Sequence, residues 1–148
     1  MALLDDLKAL REETGMSVMD CKKALAEGGT MEKARELLRA RGAVIAGKKH
    51  DRETGEGIIE AYIHTTGKTG VLLDMRSETD FVAKSADFKT LAHEIALQIA
   101  SMNPETVEEL LSQDCARDPA KKVRNLLEEY IAKLGENIVV KNFTRYHI

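Results

Sequence analysis

Apolar residues recur at helical spacing over roughly the first third of the chain, alternate one-on, one-off in a middle stretch, and then return to helical spacing. Leu3, Leu4, Leu7 and Leu10 make one apolar face, and Thr14-Gly15 ends that helix. Ser17, with Asp20 three residues on, opens a second helix that runs through Ala24 and Leu25 to Gly28-Gly29. After Thr30 a third carries Met31, Ala34, Leu37, Leu38 and Arg41 on its spacing, with Gly42 ending or kinking it before Val44-Ile45. Helices this short are unstable alone, so residues 1–46 predict a compact three-helix bundle. Residues 47–56, GKKHDRETGE, are polar and glycine-bounded and predict a linker.

Beyond the linker, Ile59, Ala61 and Ile63 alternate with Glu60, Tyr62 and His64, and Val71, Leu73 and Met75 alternate with Leu72, Asp74 and Arg76. That period predicts a hairpin with one buried face. A helix over about 86–102 follows. Asn103-Pro104-Glu105, with proline at a first helical position, predicts a short helix through Val107, Leu110 and Leu111, and Asp118-Pro119 repeats the device. Val123, Leu126, Leu127, Tyr130, Ile131 and Leu134 form the cleanest amphipathic stripe, ended by Gly135. Ile138-Val139-Val140 starts a last strand whose alternation is blurred at Lys141-Asn142, where a bulge fits. The order predicts an α+β layer over residues 57–148: helices on one face of a three-stranded antiparallel sheet.

Residues 77–84, SETDFVAK, lie between the second strand and the long helix. Two readings of them stay open. Phe81, Phe88, Leu91, Ala92, Ile95, Ile99 and Met102 follow helical spacing, which makes Phe81 the first rung of a core stripe. Alternatively Lys84 and Ser85 interrupt the stripe, Ser85 or Asp87 caps the helix, and Asp80 and Phe81 project together from a short connection. Pattern alone favours the core stripe.

Composition narrows the class. The 148 residues, 32% charged and 43% hydrophobic, suit a globular protein. The start, Met1-Ala2-Leu3-Leu4-Asp5-Asp6, carries acids where a targeting peptide would carry basic charge, and no long apolar run follows, so a cytoplasmic location and no membrane association are expected. Twenty-two basic against 25 acidic residues, net charge −3, argue against a dedicated nucleic-acid surface and favour a protein partner. Cys21 and Cys115 lack any CxxC partner and read as buried, reduced thiols.

The chemistry of catalysis is missing from the motifs. His50, His64, His93 and His147 are dispersed, no zinc-protease pattern surrounds His93-Glu94, and neither a P-loop nor a GxGxxG is present. No catalytic residue, metal site or cofactor is expected, and an enzyme is the less favoured class.

The stretch LREETGMSVMDCKKALAEGG, Leu10 to Gly29, resembles the N-terminal signature of the elongation factor Ts family; SETDFVAK and Ile131 to Ile138, IAKLGENI, resemble its second and third. The resemblance implies a ubiquitin-associated-like (UBA-like) three-helix module followed by a sheet-and-helix core. It also implies guanine-nucleotide exchange on elongation factor Tu, with GDP released by disturbing the magnesium and phosphate site. By that likeness Thr79, Asp80, Phe81 and Val82 become partner-binding, Phe81 as a wedge, and Arg11, Val18, Met19 and Lys22 become a grip on a helix of the same partner. Longer members carry a second core subdomain and often a helical hairpin between the regions matched by Met102 and Ile131. The short bridge here implies a minimal form, completed by a second copy as a homodimer joined through its core, at the last strand or the sheet face. Met16-Ser17-Val18 departs from the family's usual Ala-Gly-Met, which weakens the transfer to Val18. The rival function is a protein-binding adaptor without exchange activity; an RNA-associated protein is a weaker one.

Overall fold

The computed structural model describes residues 2–148, with the backbone alone for Ala2. Three helices come first: α1 (Ala2–Thr14), α2 (Val18–Gly28) and α3 (Met31–Lys49). Their ends follow the local chemistry. Gly15 at φ +65° and Gly29 at φ +76° take the left-handed conformation that a side chain disfavours, and so stop α1 and α2. Ser17 accepts from the Asp20 N–H and Thr30 from the Lys33 N–H, each hydroxyl capping the helix that follows it. Leu10, Met16, Cys21, Ala24, Leu25, Ala34 and Leu38 close over one another as the bundle's core.

Gly42 does not end α3, which continues to Lys49, three residues into the stretch read as a linker. The reason is packing. Gly42 is buried where α7 (Val123–Leu134) crosses, and a Cβ there would lie 3.7 Å from that of Ala132. That is ordinary van der Waals spacing, so the two helices meet at position 42 without crowding, and α7 stabilises the glycine-containing turn that would fray alone. The bundle is thereby docked on the second half of the chain.

That half is the α+β layer. Strands β1 (Glu56–Ile63), β2 (Thr69–Ser77) and β3 (Ile138–His147) make one antiparallel sheet in the order β1-β2-β3. Lys141 is skipped in the β2–β3 register, between Met75↔Val140 and Asp74↔Asn142, and is the bulge expected there. Inward-facing Val71, Leu73, Met75, Ile138 and Val140 meet Phe88, Leu91, Ile95 and Ile99 of α5 (Ala86–Met102) and Leu126, Leu127 and Ile131 of α7.

The first strand turns out differently from its apolar alternation. Opposed residues share a face, and Ile59↔Asp74, Ala61↔Leu72 and Ile63↔Gly70 put the apolar set outside. Ile58 and Tyr62 instead pack inward. Ile59 and Ile63 are left 64% and 66% exposed, beside exposed Leu72 and Tyr146.

Two helix starts shift as well. Asn103 is the left-handed end of α5 (φ 47°), and α6 (Val107–Ser112) is capped by Thr106, whose hydroxyl accepts from the Glu109 N–H. Asp118-Pro119 lies in a turn ahead of α7, whose first residue is Val123. Between them the bridge is held by the buried Gln98 amide, which donates to Gln113 Oε1 (3.1 Å) and the Asp114 carbonyl (3.0 Å) and accepts from the Ala116 N–H (2.8 Å). Saturating a buried amide in this way fixes an otherwise irregular loop. Cys21 and Cys115 are both free and buried, and burial pushes the Cys115 thiol above its usual range.

Candidate functional site

Residues 77–84 form neither a core stripe nor a loose loop. They make a separate four-residue helix, α4 (Asp80–Ala83), capped by Thr79, before Ser85 caps α5 anew. The break between the two helices has a clear cause. The Ser85 hydroxyl donates to the Val82 carbonyl (2.7 Å) and accepts from the Phe88 N–H (3.2 Å), so one side chain ends α4 and begins α5. Phe81 therefore leaves the stripe that Phe88 keeps.

Its ring is 86% exposed, the most exposed of the phenylalanines, while Val82 and Ala83 next to it are buried in the main core. Val82, assigned to partner contact by the family likeness, is only 6% exposed and anchors the segment instead of offering surface. Asp80 sits beside the ring with its carboxylate partly exposed, 2.8 Å from Lys84 Nζ one turn on. The Asp80 carboxylate holds the Lys84 ammonium more firmly protonated than usual, first by hydrogen bonding and then by charge. The charge at the tip is thus half of an ion pair, a partner that the spacing Asp80-x-x-x-Lys84 announces on a helix.

Thr79 has its polar atoms committed. Its N–H and its hydroxyl donate to the two oxygens of Glu136, at 2.9 and 2.7 Å, and the hydroxyl accepts from the Val82 N–H at 3.3 Å. The neighbouring pair is reciprocal: the Asn137 N–H donates to Glu78 Oε2 at 2.6 Å. Asn137 Nδ2 further donates to the carbonyls of His50 (3.3 Å) and Arg52 (3.0 Å), on the connection between α3 and β1. The Ser77 hydroxyl, buried, donates to the Thr79 carbonyl (2.9 Å). Glu78, Glu136 and Asn137 were not picked out as site residues by sequence reasoning. The available signal was a polar Glu-Asn pair set between a helix-ending glycine and a strand.

The second group lies at the α1–α2 corner of the bundle. Arg11 is in the last turn of α1 and exposed; Val18 and Met19 open α2, with Met19 75% exposed; Lys22 follows one turn later on the surface. An exposed valine and methionine at a helix start, with Lys22 one turn on, make an apolar spot with a cation beside it. Arg41 and Asp20, 3.8 Å apart, brace α3 against α2 beside it. The structure keeps this group on the bundle and the Asp80–Phe81 tip on the sheet-and-helix layer.

The histidines stay dispersed, each with a local neighbour: His50 with Asp51, His64 with Tyr62, His147 with Thr69, and His93 edge-on to Tyr62. Among the described residues no three His, Cys, Asp or Glu side chains converge as a metal cage, and no helix is long and apolar enough to cross a membrane.

Comparison with known proteins gives a consistent result. A family model described as Elongation factor TS matches residues 78–148. Elongation factor Ts of Thermotoga petrophila is 43% identical over 189 aligned positions, covering 98% of this chain and 95% of that protein. The protein of the same name from Rubrobacter xylanophilus is 39% identical, covering 98% of each chain, and that from Coprothermobacter proteolyticus is 42% identical over 95% and 94%. An alignment of 189 positions over 148 residues leaves at least 41 in which the Thermotoga petrophila protein has residues that this chain lacks.

Proposed function

Because this chain belongs to the elongation factor Ts family, we propose that it is a guanine-nucleotide exchange factor which binds elongation factor Tu in its GDP state and speeds GDP release. One observation carries the reading: a large apolar ring, Phe81, stands 86% exposed on a helix pinned from both sides. A fold does not leave such a ring in water without cost, and an anchored base lets it push into a partner without folding back.

The mechanism is thermodynamic coupling. An exchange factor binds the form of its partner that holds nucleotide poorly, and linkage requires each ligand to weaken the other equally. A thousandfold loss of GDP affinity needs about 4 kcal/mol of differential binding, while burying one phenylalanine side chain supplies about 1.5–3 kcal/mol. The ring therefore acts with a second grip. Arg11, Val18, Met19 and Lys22 on the UBA-like bundle fill that role, with Val18 and Met19 as the apolar contact and the two cations addressing acidic side chains of the partner helix. Asp80 brings a carboxylate toward the magnesium and phosphate site, where like charge disfavours the phosphates; Lys84 holds it in place until then. Thr79 shapes the tip and Val82 roots it. No group is transferred, so the protein acts as a cytoplasmic translation factor without catalytic residues or cofactor of its own.

The outward face of the sheet supports a homodimer. Ile59, Ile63, Leu72 and Tyr146 form an apolar patch that a second copy's equivalent face would cover.

Release of fluorescent GDP from purified elongation factor Tu, followed with and without this protein, tests the exchange reading. Wild type accelerates release, and Asp80→Ala with Phe81→Ala reduces the saturated rate at least tenfold. Equal binding with and without GDP, and no acceleration, would establish a plain adaptor instead.

A further inference from the structure

A helix of four residues is too short to hold its own shape in water, so α4 keeps its geometry only through what grips it from outside. Its buried side, Val82 and Ala83, fixes the last two residues. The first two, Asp80 and Phe81, have no comparable apolar anchor: both are exposed. What fixes their end is the N-cap, Thr79: the buried Ser77 hydroxyl holds its carbonyl, and one carboxylate from 57 residues further along the chain takes its N–H and its hydroxyl proton.

We infer that Glu136 is a positioning residue for exchange, a latch that holds the Asp80–Phe81 tip in its partner-ready shape through Thr79. This rests on the exchange reading above. The geometry is a fork. Glu136 Oε1 takes the Thr79 N–H and Oε2 takes the Thr79 hydroxyl proton. Once that proton is committed, the hydroxyl oxygen presents its lone pairs to the Val82 N–H, which is the cap bond that starts α4. Both latch bonds are charge-assisted though open to solvent, and Glu136 is half-buried between Gly135 and buried Asn137. The carboxylate's hydrogen bonds go to Thr79 and not to Asp80 or Phe81. It acts by setting where the backbone of residue 79 lies, and hence where the next two residues point.

The adjacent residue supports the same assignment independently. Asn137 binds Glu78 through its backbone N–H and the carbonyls of His50 and Arg52 through its side chain. The turn at 135–137 therefore holds both the root of the tip and the connection leading back to the bundle, where the second grip lies. A free protein that samples misplaced tips binds more weakly in proportion to the fraction that is competent. Loss of the latch thus raises the concentration needed for exchange but leaves the saturated rate, which depends on the ring itself, near wild type.

The experiment uses the full chain. GDP release from elongation factor Tu is titrated with wild type, Glu136→Ala, Glu136→Gln and Phe81→Ala, and hydrogen exchange of the Thr79 and Val82 amides is measured in the free protein. Glu136→Ala is expected to raise the half-saturating concentration about tenfold, the shift for one competent molecule in ten, with a saturated rate within twofold of wild type. Glu136→Gln, which keeps one acceptor and its size, should fall between. Phe81→Ala should show the opposite split, and Glu136→Ala placed on it should add less than twofold. Both amides should exchange faster in Glu136→Ala. Superimposable titrations for wild type and Glu136→Ala, the same factor in the Phe81→Ala background, or unchanged amide protection would each overturn the latch. Failure of wild type to accelerate release, with protection still lost in Glu136→Ala, would overturn the exchange role and leave the ordering of the tip by Glu136 standing.

Discussion

Phe81 and Phe88 are seven residues apart, two turns of one continuous apolar spacing, and they end in opposite environments: one in water, the other with no exposed surface. What separates them is Ser85, whose hydroxyl closes α4 and opens α5. Phe88→Ala should lower stability by about 3–5 kcal/mol, because it empties a packed site, while Phe81→Ala should leave the chemical denaturation midpoint within error of wild type. Urea titrations of the two variants check the contrast. A strong loss of stability in Phe81→Ala would mean that the ring contributes to the fold as well as to the tip. The same lesson applies to Val82, where one position along the chain converts a surface residue into an anchor.

Among elements, the attachment of α1 to α3 rests partly on Glu13 and Arg35. The guanidinium donates to both carboxylate oxygens, at 2.8 and 3.0 Å. Hydrogen bonding to Arg35, reinforced by its charge and opposed by partial desolvation, holds the Glu13 carboxyl below its ordinary value of 4.5. A carboxyl whose pKa is lowered on folding contributes stability that is present above its unfolded value and is lost as pH falls through the folded one. Glu13→Gln should therefore lower the thermal midpoint slightly at pH 7, and the difference should shrink at an acid pH below the folded value, where wild-type Glu13 is protonated in both states. Calorimetric scans of both proteins at the two pH values measure it; a difference that persists at low pH would assign the effect to packing instead. Both side chains are nearly half exposed, so the contribution is small and screened by salt. The bundle is also attached through α3, which packs on α7 where Gly42 lies against Ala132.

At the scale of the molecule, the two proposed contact groups belong to different structural layers, and the partner must engage both for coupling to exceed what one ring supplies. The sheet's outer face adds a third surface. If a second copy covers it, light scattering on the purified chain should give twice the 16.4 kDa chain mass. Ile63→Glu with Leu72→Glu, placing charge on a face that would have to be desolvated, should return the single-chain mass without unfolding the protein, since neither residue is in the core. A wild-type mass of one chain at micromolar concentration would remove the dimer from the proposal.

Helix order apart from α4, the caps of α2, α3 and α5, and the α+β plan were legible in the sequence because they follow from local rules, whereas the Asn103-Pro104 and Asp118-Pro119 starts were not. Ser17, Thr30 and Ser85 cap where hydroxyls precede apolar periodicity, Gly15 and Gly135 stop helices, and the bulge falls where the alternation of β3 fails at Lys141. The family signatures were legible for the same reason, being short and contiguous. Tertiary structure alone decided the rest. Ile59 and Ile63 face outward because pairing with β2 fixes which side of β1 is inside, and alternation by itself has no inside. Gly42 stays helical where α7 packs on it, and the cap residue of α4, Thr79, is tied to Glu136 from across the fold. Each of these depends on a contact between residues tens of positions apart, where no spacing in the chain can place the partner.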